Sequence, residues 1–224
     1  MLFFSAMPFA AARLRESLPV AALHLFASAL LAAVLAALIF RIWYRPPYDA
    51  LAGGRLLFVL LVGVDVVCGP LLTLLLFTRS KTRGQLLTDA IMIVALQAAA
   101  LAYGVSTAWN SRPVFLVAEV DRFKVIAWEE IRHADFSSLP PELQPSLWKP
   151  PAIVALRPPA SIEEKNKVLF ESLQTGRDYA ERPEFYIPYS AETAGKVLAR
   201  SRGASALLKA HPHHRQWLEN YARA

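Results

Sequence analysis

Three stretches of this chain, Pro19 to Phe40, Leu56 to Phe77 and Ala90 to Ser111, are 22 residues long each and hold a single formal charge between them, Asp65. As α-helices they would each extend roughly 33 Å, about the thickness of a bilayer's hydrocarbon core. These runs raise the hydrophobic content to 55%, too apolar for an ordinary soluble domain. The pattern predicts a membrane protein: three N-terminal transmembrane α-helices over residues 19–40, 56–77 and 89–110, then a small α/β extramembrane domain over 111–224.

Asp65 does not exclude the middle span. A carboxylate at mid-bilayer costs about 2.5–3.5 kcal/mol, whereas the sixteen Leu, Val and Phe residues around it return about 5 kcal/mol even after discounting. The first run is also longer than the apolar part of a cleaved signal peptide. It continues into "FRIWYR", whose Arg41, Trp43, Tyr44 and Arg45 suit an interfacial anchor, so it reads as retained. Residues 1–18, opening with "MLFFSAMPFAAA", read as a cytoplasmic or interfacial segment. Arg13, Arg15, Arg79, Lys81 and Arg83 outnumber Arg41, Arg45 and Arg55 on the opposite side. The N-terminus and the basic loop 78–88 are therefore expected in the cytoplasm, with loop 41–55 and the tail outside.

The formal charge of +6 is mostly topological. Residues 1–111 carry eight basic and four acidic groups, and residues 112–224 carry sixteen and fourteen. A nearly balanced tail without a basic run gives no reason to expect nucleic-acid binding. Cys68, the only cysteine, lies within the second span and excludes a disulfide framework.

In the tail, Val114 to Val120 and Phe123 to Ala127 read as a hairpin turning at Asp121-Arg122, followed by a short helix. A Pro-rich linker, "LPPELQPSLWKPP", leads to a strand, "AIVALRP". Then comes a helix with Ser161 as N-cap, Glu164 completing a capping box and Gly176 ending it. "EFYIPYS" reads as a short extended piece, Ser190 caps a helix from Ala191, and Pro212 to Arg223 forms a last helix.

Asp65, Cys68, Gly69, Leu72, Thr73 and Leu76 share one face of the second span, beside Pro70, which kinks it. Small residues permit close helix approach, and polar ones bond across it. Gln97, at comparable depth in the third span, is placed to donate to Asp65. Two readings stay open for this face: helix contact, within the bundle or with a partner, and an ion or proton relay. Helix contact is preferred, because transport needs more polar residues and usually more helices. His24 reads as a packing or interface residue. His211, His213 and His214 lack a carboxylate or cysteine at ligand spacing, so no metal or other cofactor is expected. Glu129-Glu130 and Glu163-Glu164 suit helix starts. Without a nucleophile motif or phosphate-binding glycine loop, neither an enzyme nor a nucleotide-binding protein is expected.

Four pieces, in order, give a resemblance. They are "VDVVCGPLLTLLLF"; the basic loop with Lys81, and Asp89 beyond it; "LQAAALAYG" with Gln97, Tyr103 and Gly104; and "RPVFLVAEVDRFKVI" with Arg112, Pro113, Asp121, Arg122 and Phe123. Together they resemble the TfpX/TfpZ family of type IV pilin accessory proteins over roughly residues 20 to 127. The resemblance implies a Gram-negative inner-membrane protein without known chemistry that promotes pilus assembly, its tail in the periplasm. The expected partners are a major type IV pilin or the assembly machinery, and the lipid bilayer. On that expectation Asp65, Gly69, Pro70, Thr73 and Gln97 form a helix-contact face. Arg112, Asp121 and Arg122 are candidates for external contact, although Asp121 also suits a hairpin turn. A small proton-coupled transport subunit and a membrane-anchored sensor or scaffold are the alternatives.

Overall fold

The protein is described by a computed structural model covering residues 7–119, 122–201 and 204–222. It divides into two compact units. The first comprises the chain up to Val114 with Val125–His133 and Pro145–Pro151; the second comprises Phe115–Lys124, Ala134–Gln144 and the chain from Ala152 onward.

The first unit is helical. Helix α1 spans Met7–Ile42, α2 Tyr48–Leu51, α3 Gly54–Leu76 and α4 Arg83–Asn110. Of the segment expected to precede the first span, the described part from Met7 onward belongs to α1, which continues through Pro19. Among the described residues, α1 over Leu14–Ile42 and α4 are long and apolar enough to cross a membrane, whereas the described apolar stretch of α3 is only Asp65–Leu76. Among the described residues, two helices meet that test. Leu23, Phe26, Ile91 and Met92 are exposed on α1 and α4.

Two devices fix the helix ends. Lys81 Nζ donates to the Leu76 carbonyl at 2.8 Å and to Asp89 Oδ2 at 2.6 Å, tying the end of α3 to α4. Thr82 caps α4 in a reciprocal box with Gln85. At the opposite end Tyr44, Ile39 and Ala108 form a buried cluster, packed by Phe40, Trp43 and Phe58. Tyr44 is 1% exposed and donates its hydroxyl to the Ala108 carbonyl at 3.1 Å.

A four-stranded sheet, β1 Pro113–Ala118, β2 Phe123–Ala127, β3 Ala152–Leu156 and β4 Tyr186–Pro188, has the order β2-β1-β3-β4. Strands β1 and β3 run parallel, with Phe115 opposite Ala152 and Ala118 opposite Ala155; β4 is antiparallel to β3. The short helix α5, Trp128–Ile131, follows β2. The remaining helices are α6, Ile162–Thr175; α7, Ala191–Arg200; α8, Ala204–Ala210; and α9, Arg215–Ala222. The core of the second unit gathers Phe115, Val117, Val154, Ala180, Phe185 and Tyr186. The rings of Phe115 and Tyr186 meet edge to face at 4.9 Å.

Helix α6 begins after Ser161, whose side chain accepts from the Glu164 N–H, and stops at Gly176, whose φ of 71° is left-handed. The expected capping box is only half formed. Glu164 turns instead to Arg157, accepting from Nη1 at 3.0 Å and Nη2 at 2.9 Å, and to the Ala160 N–H. A bidentate guanidinium outcompetes a single amide for the carboxylate. The same contacts hold the Glu164 carboxyl down at about 2, below its ordinary 4.5, the Arg157 hydrogen bonds first and the Ala160 amide second. A folded-state pKa below the unfolded one stabilises above the unfolded value, and this contribution is lost as pH falls through the folded one. Acidification from about pH 4.5 to about 2 should therefore release the start of α6. Amide protection in residues 160–168, taken relative to the intrinsic exchange rate at each pH, should fall across that window in the wild type. In Glu164→Gln it should already be lower at neutral pH and change less on acidification.

Candidate functional site

Three polar side chains, those of His24, Thr73 and Gln97, meet among α1, α3 and α4. His24 Nδ1 lies 2.7 Å from Thr73 Oγ1, and His24 Nε2 lies 2.9 Å from Gln97 Oε1. Gln97 Nε2 donates to the backbone carbonyl of Asp65 at 3.1 Å, and Thr73 Oγ1 lies 3.1 Å from the Gly69 carbonyl, to which it can donate. Thr73, Gly69 and Pro70 are buried, and Pro70 interrupts the hydrogen bonding of α3 within this segment. A chain of side chains thus links all three helices through His24 and Gln97.

Proton counting orients the chain. The Asp65 carbonyl only accepts, so Gln97 must turn its amide nitrogen to it and its oxygen to His24; His24 Nε2 then carries the proton it donates. Thr73 has one hydroxyl proton. With a neutral imidazole that proton goes to Nδ1; with an imidazolium, Nδ1 donates to Thr73 and the hydroxyl is free for the Gly69 carbonyl.

Gly69 makes the crossing fit. A Cβ at this position would sit 2.0 Å from Gln97 Nε2 and 2.5 Å from its amide carbon. Gln97 is flexible at that end and can swing aside, so Gly69→Ala should cost about 1 kcal/mol, the worth of the two bonds Gln97 makes. Since Gly69→Ala and Gln97→Ala remove the same link, their effects on thermal unfolding in detergent should fall short of additivity. Additive effects would show that Gln97 carries no link across the helices.

The Asp65 side chain is half-buried and has no hydrogen-bond partner among the described residues. Gln97 therefore meets its backbone rather than its carboxylate. Asp65 lines a cavity of about 260 Å³ together with His24, Ser28 and Gln97, between walls that include Leu31, Phe58 and Leu101. A second, mostly apolar groove of about 560 Å³ also borders His24, lined by Val20, Leu23, Thr73, Leu76, Leu87 and Ile93 among others. Among the described residues no group of three or more His, Cys, Asp or Glu is placed to hold a metal ion.

The candidates for external contact separate. Arg112 is 6% exposed, with its guanidinium carbon 3.6 Å above the Trp109 ring and 4.5 Å from that of Trp128. Its Nη1 donates to the Trp109 carbonyl at 2.8 Å. Burial lowers its pKa to about 10, the neighbouring Tyr44 opposing that shift, and burial raises Tyr44 to about 12. Arg112 stays charged at neutral pH, held by indole faces as a cation–π contact. Arg122 is exposed and pairs with Glu119 and, at 3.8 Å, with Asp178. Asp121 lies outside the described residues. The residue that sequence reasoning left unconnected is His24: its position in an uncharged run marked it, but nothing local pointed to Thr73 or Gln97.

A family model, fimbrial assembly protein FimB, matches residues 12–53. The fimbrial assembly protein of serogroup I from Dichelobacter nodosus is 33% identical over 187 residues, covering 81% of this chain and 72% of that protein. Its serogroup E1 counterpart is 32% identical over the same shares. The protein of serogroups C1 and C2 is 37% identical over 112 residues, half of this chain and 86% of that protein. No solved structure matches. With identity at this level over most of both partners, the chain belongs to the fimbrial assembly protein family, in keeping with its resemblance to type IV pilin accessory proteins.

Proposed function

We propose that this chain is a non-enzymatic accessory factor of type IV fimbrial assembly, held in a bacterial inner membrane by α1, α3 and α4 with its tail in the periplasm. The observation that carries the reading is the 33% identity to a fimbrial assembly protein across 81% of the chain, which extends beyond the helical unit. The membrane placement is supported by the length and apolarity of α1 and α4 and their exposed Leu, Ile and Phe side chains. On this reading α3, 23 residues long, is the third span.

The helix surface supplies the means. An apolar groove bordered by His24 and Thr73 suits the side chains of an apolar helix, because in lipid helices associate by close packing and by hydrogen bonds rather than by hydrophobicity. The partner is a fimbrial subunit resting in the membrane through its own apolar helix, or the assembly machinery itself. The His24–Gln97–Thr73 chain holds the three helices in register so that the groove stays open. No step requires chemistry from this chain.

A photo-crosslinking amino acid at Leu87, in the groove, tests the contact in living cells; Met92, exposed on α4 outside the groove, is the control. Adducts with the fimbrial subunit from position 87 but not 92 are expected. Equal labelling from both, or none, would remove the groove from the mechanism.

A further inference from the structure

The second unit holds a cleft of about 730 Å³ that the assembly reading does not use. Strands β1 and β3 are parallel, and their carboxyl ends, Ala118-Glu119 and Leu156-Arg157, open into it. Crevices outside the carboxyl ends of parallel strands are where ligands bind in open sheets, because the strands stop together and the connections diverge. The volume is that of a genuine ligand site.

Helix α7 closes one side. Thr193, Lys196, Val197 and Arg200 recur at i, i+3, i+4 and i+7, so a single face of α7 lines the cleft. That face alternates charge with hydrocarbon: Val197 lies between two cations one turn apart, and Ile187 and Leu156 provide further apolar wall. Arg200 makes no ion pair among the described residues. Among the described residues Lys196 is held only by an exposed pair with Glu192 at 2.7 Å, which water and salt screen and a ligand can exchange. Arg157 is already engaged by Glu164 and stacked on Phe185 at 4.5 Å, and so serves as wall. Glu119 is paired with Arg122. The charge left for a ligand is positive.

We propose that this cleft is a binding site for an extended acidic peptide segment of a partner protein, with aliphatic side chains seated against Leu156, Ile187 and Val197 and carboxylates on Lys196 and Arg200. A compact inorganic anion would leave the apolar walls uncovered, and a purely aliphatic ligand would leave the two cations without partners. An alternating apolar and acidic chain satisfies both. The assignment rests on the chemistry of the cleft, so it stands or falls separately from the role in assembly.

The test is fluorescence polarisation with the purified full chain in non-ionic detergent and three fluorescein-labelled octapeptides, in which Leu alternates with Glu, Lys or Ser. The Leu–Glu peptide should bind at least tenfold more tightly than the other two and weaken as salt is raised. The Lys196→Glu/Arg200→Glu double variant changes two exposed positions and should keep the wild-type thermal unfolding while losing tenfold or more of Leu–Glu affinity. It should also gain affinity for the Leu–Lys peptide. Equal affinities for the three peptides, unchanged binding by the double variant, or no binding at all would overturn the proposal. Displacement by inorganic phosphate at the same concentration as the peptide would overturn it too, reducing the cleft to a general anion site.

Discussion

Gly54→Ala should destabilise the helical unit by about 3 kcal/mol, through overpacking and the loss of a buried hydrogen bond. A Cβ on Gly54 would lie 2.3 Å from Cδ1 and 2.7 Å from Cε1 of Tyr44. That ring cannot swing aside as Gln97 can: it is 1% exposed, its hydroxyl is fixed on the Ala108 carbonyl, and Phe40 meets it edge to face at 6.5 Å. Moving the ring would leave the Ala108 carbonyl without its donor. The control is Gly63→Ala on the same helix, where an added Cβ meets nothing within 4 Å. It should be neutral or stabilise by up to about 1 kcal/mol, since Ala is the better helix former. Thermal unfolding of the full chain in detergent reads both, and equal midpoints for the two variants would contradict the packing at Tyr44.

Phe115→Ala should be the most damaging single change in the second unit, at about 3–5 kcal/mol. Phe115 is fully buried on β1, and its ring meets that of Tyr186, whose hydroxyl donates to the Ala180 carbonyl. Truncation opens a cavity between β1 and β4 that the neighbouring β3 holds apart, so collapse is limited. Phe115→Leu keeps most of the volume and should cost less than half as much. Limited proteolysis of the chain after Ala152 should become rapid in Phe115→Ala and stay slow in Phe115→Leu. If the two behaved alike, the ring would not be the keystone of this sheet.

The parts of the fold that were legible in the sequence are those specified locally. Ser161 and Gly176 delimit α6, and Ser190 marks the start of α7, because a cap needs a particular residue at one position and nothing distant. The strands followed from their β-branched and aromatic runs. Where two signals compete for one group, the sequence misleads: Glu164 has the spacing of a capping box, yet Arg157 claims it.

The candidate site was legible in composition but not in connectivity. Asp65, Gly69, Thr73 and Gln97 stood out as polar or small residues in apolar helices, and α3 brings the first three to one face. That Gln97 reaches the Asp65 backbone, and that His24 joins Gln97 to Thr73, depends on pairings 32, 73 and 49 residues apart. No local period encodes such pairings. Arg112 illustrates the same limit: a lone arginine after a span reads as a surface residue until Trp109 and Trp128 are seen on its flanks.

The measurement that bears most directly on the proposed role is surface fimbriation in a strain deleted for this chain and complemented with wild type or Gln97→Leu, with fimbrial subunit and accessory levels followed by immunoblot. Deletion should remove surface fimbriae while the subunit is still made, and wild type should restore them. Gln97→Leu, present at normal level, should restore few. Normal fimbriae in the deletion strain would contradict the account and leave the Asp65 cavity, tested by proton flux in liposomes, as the place to look for another function.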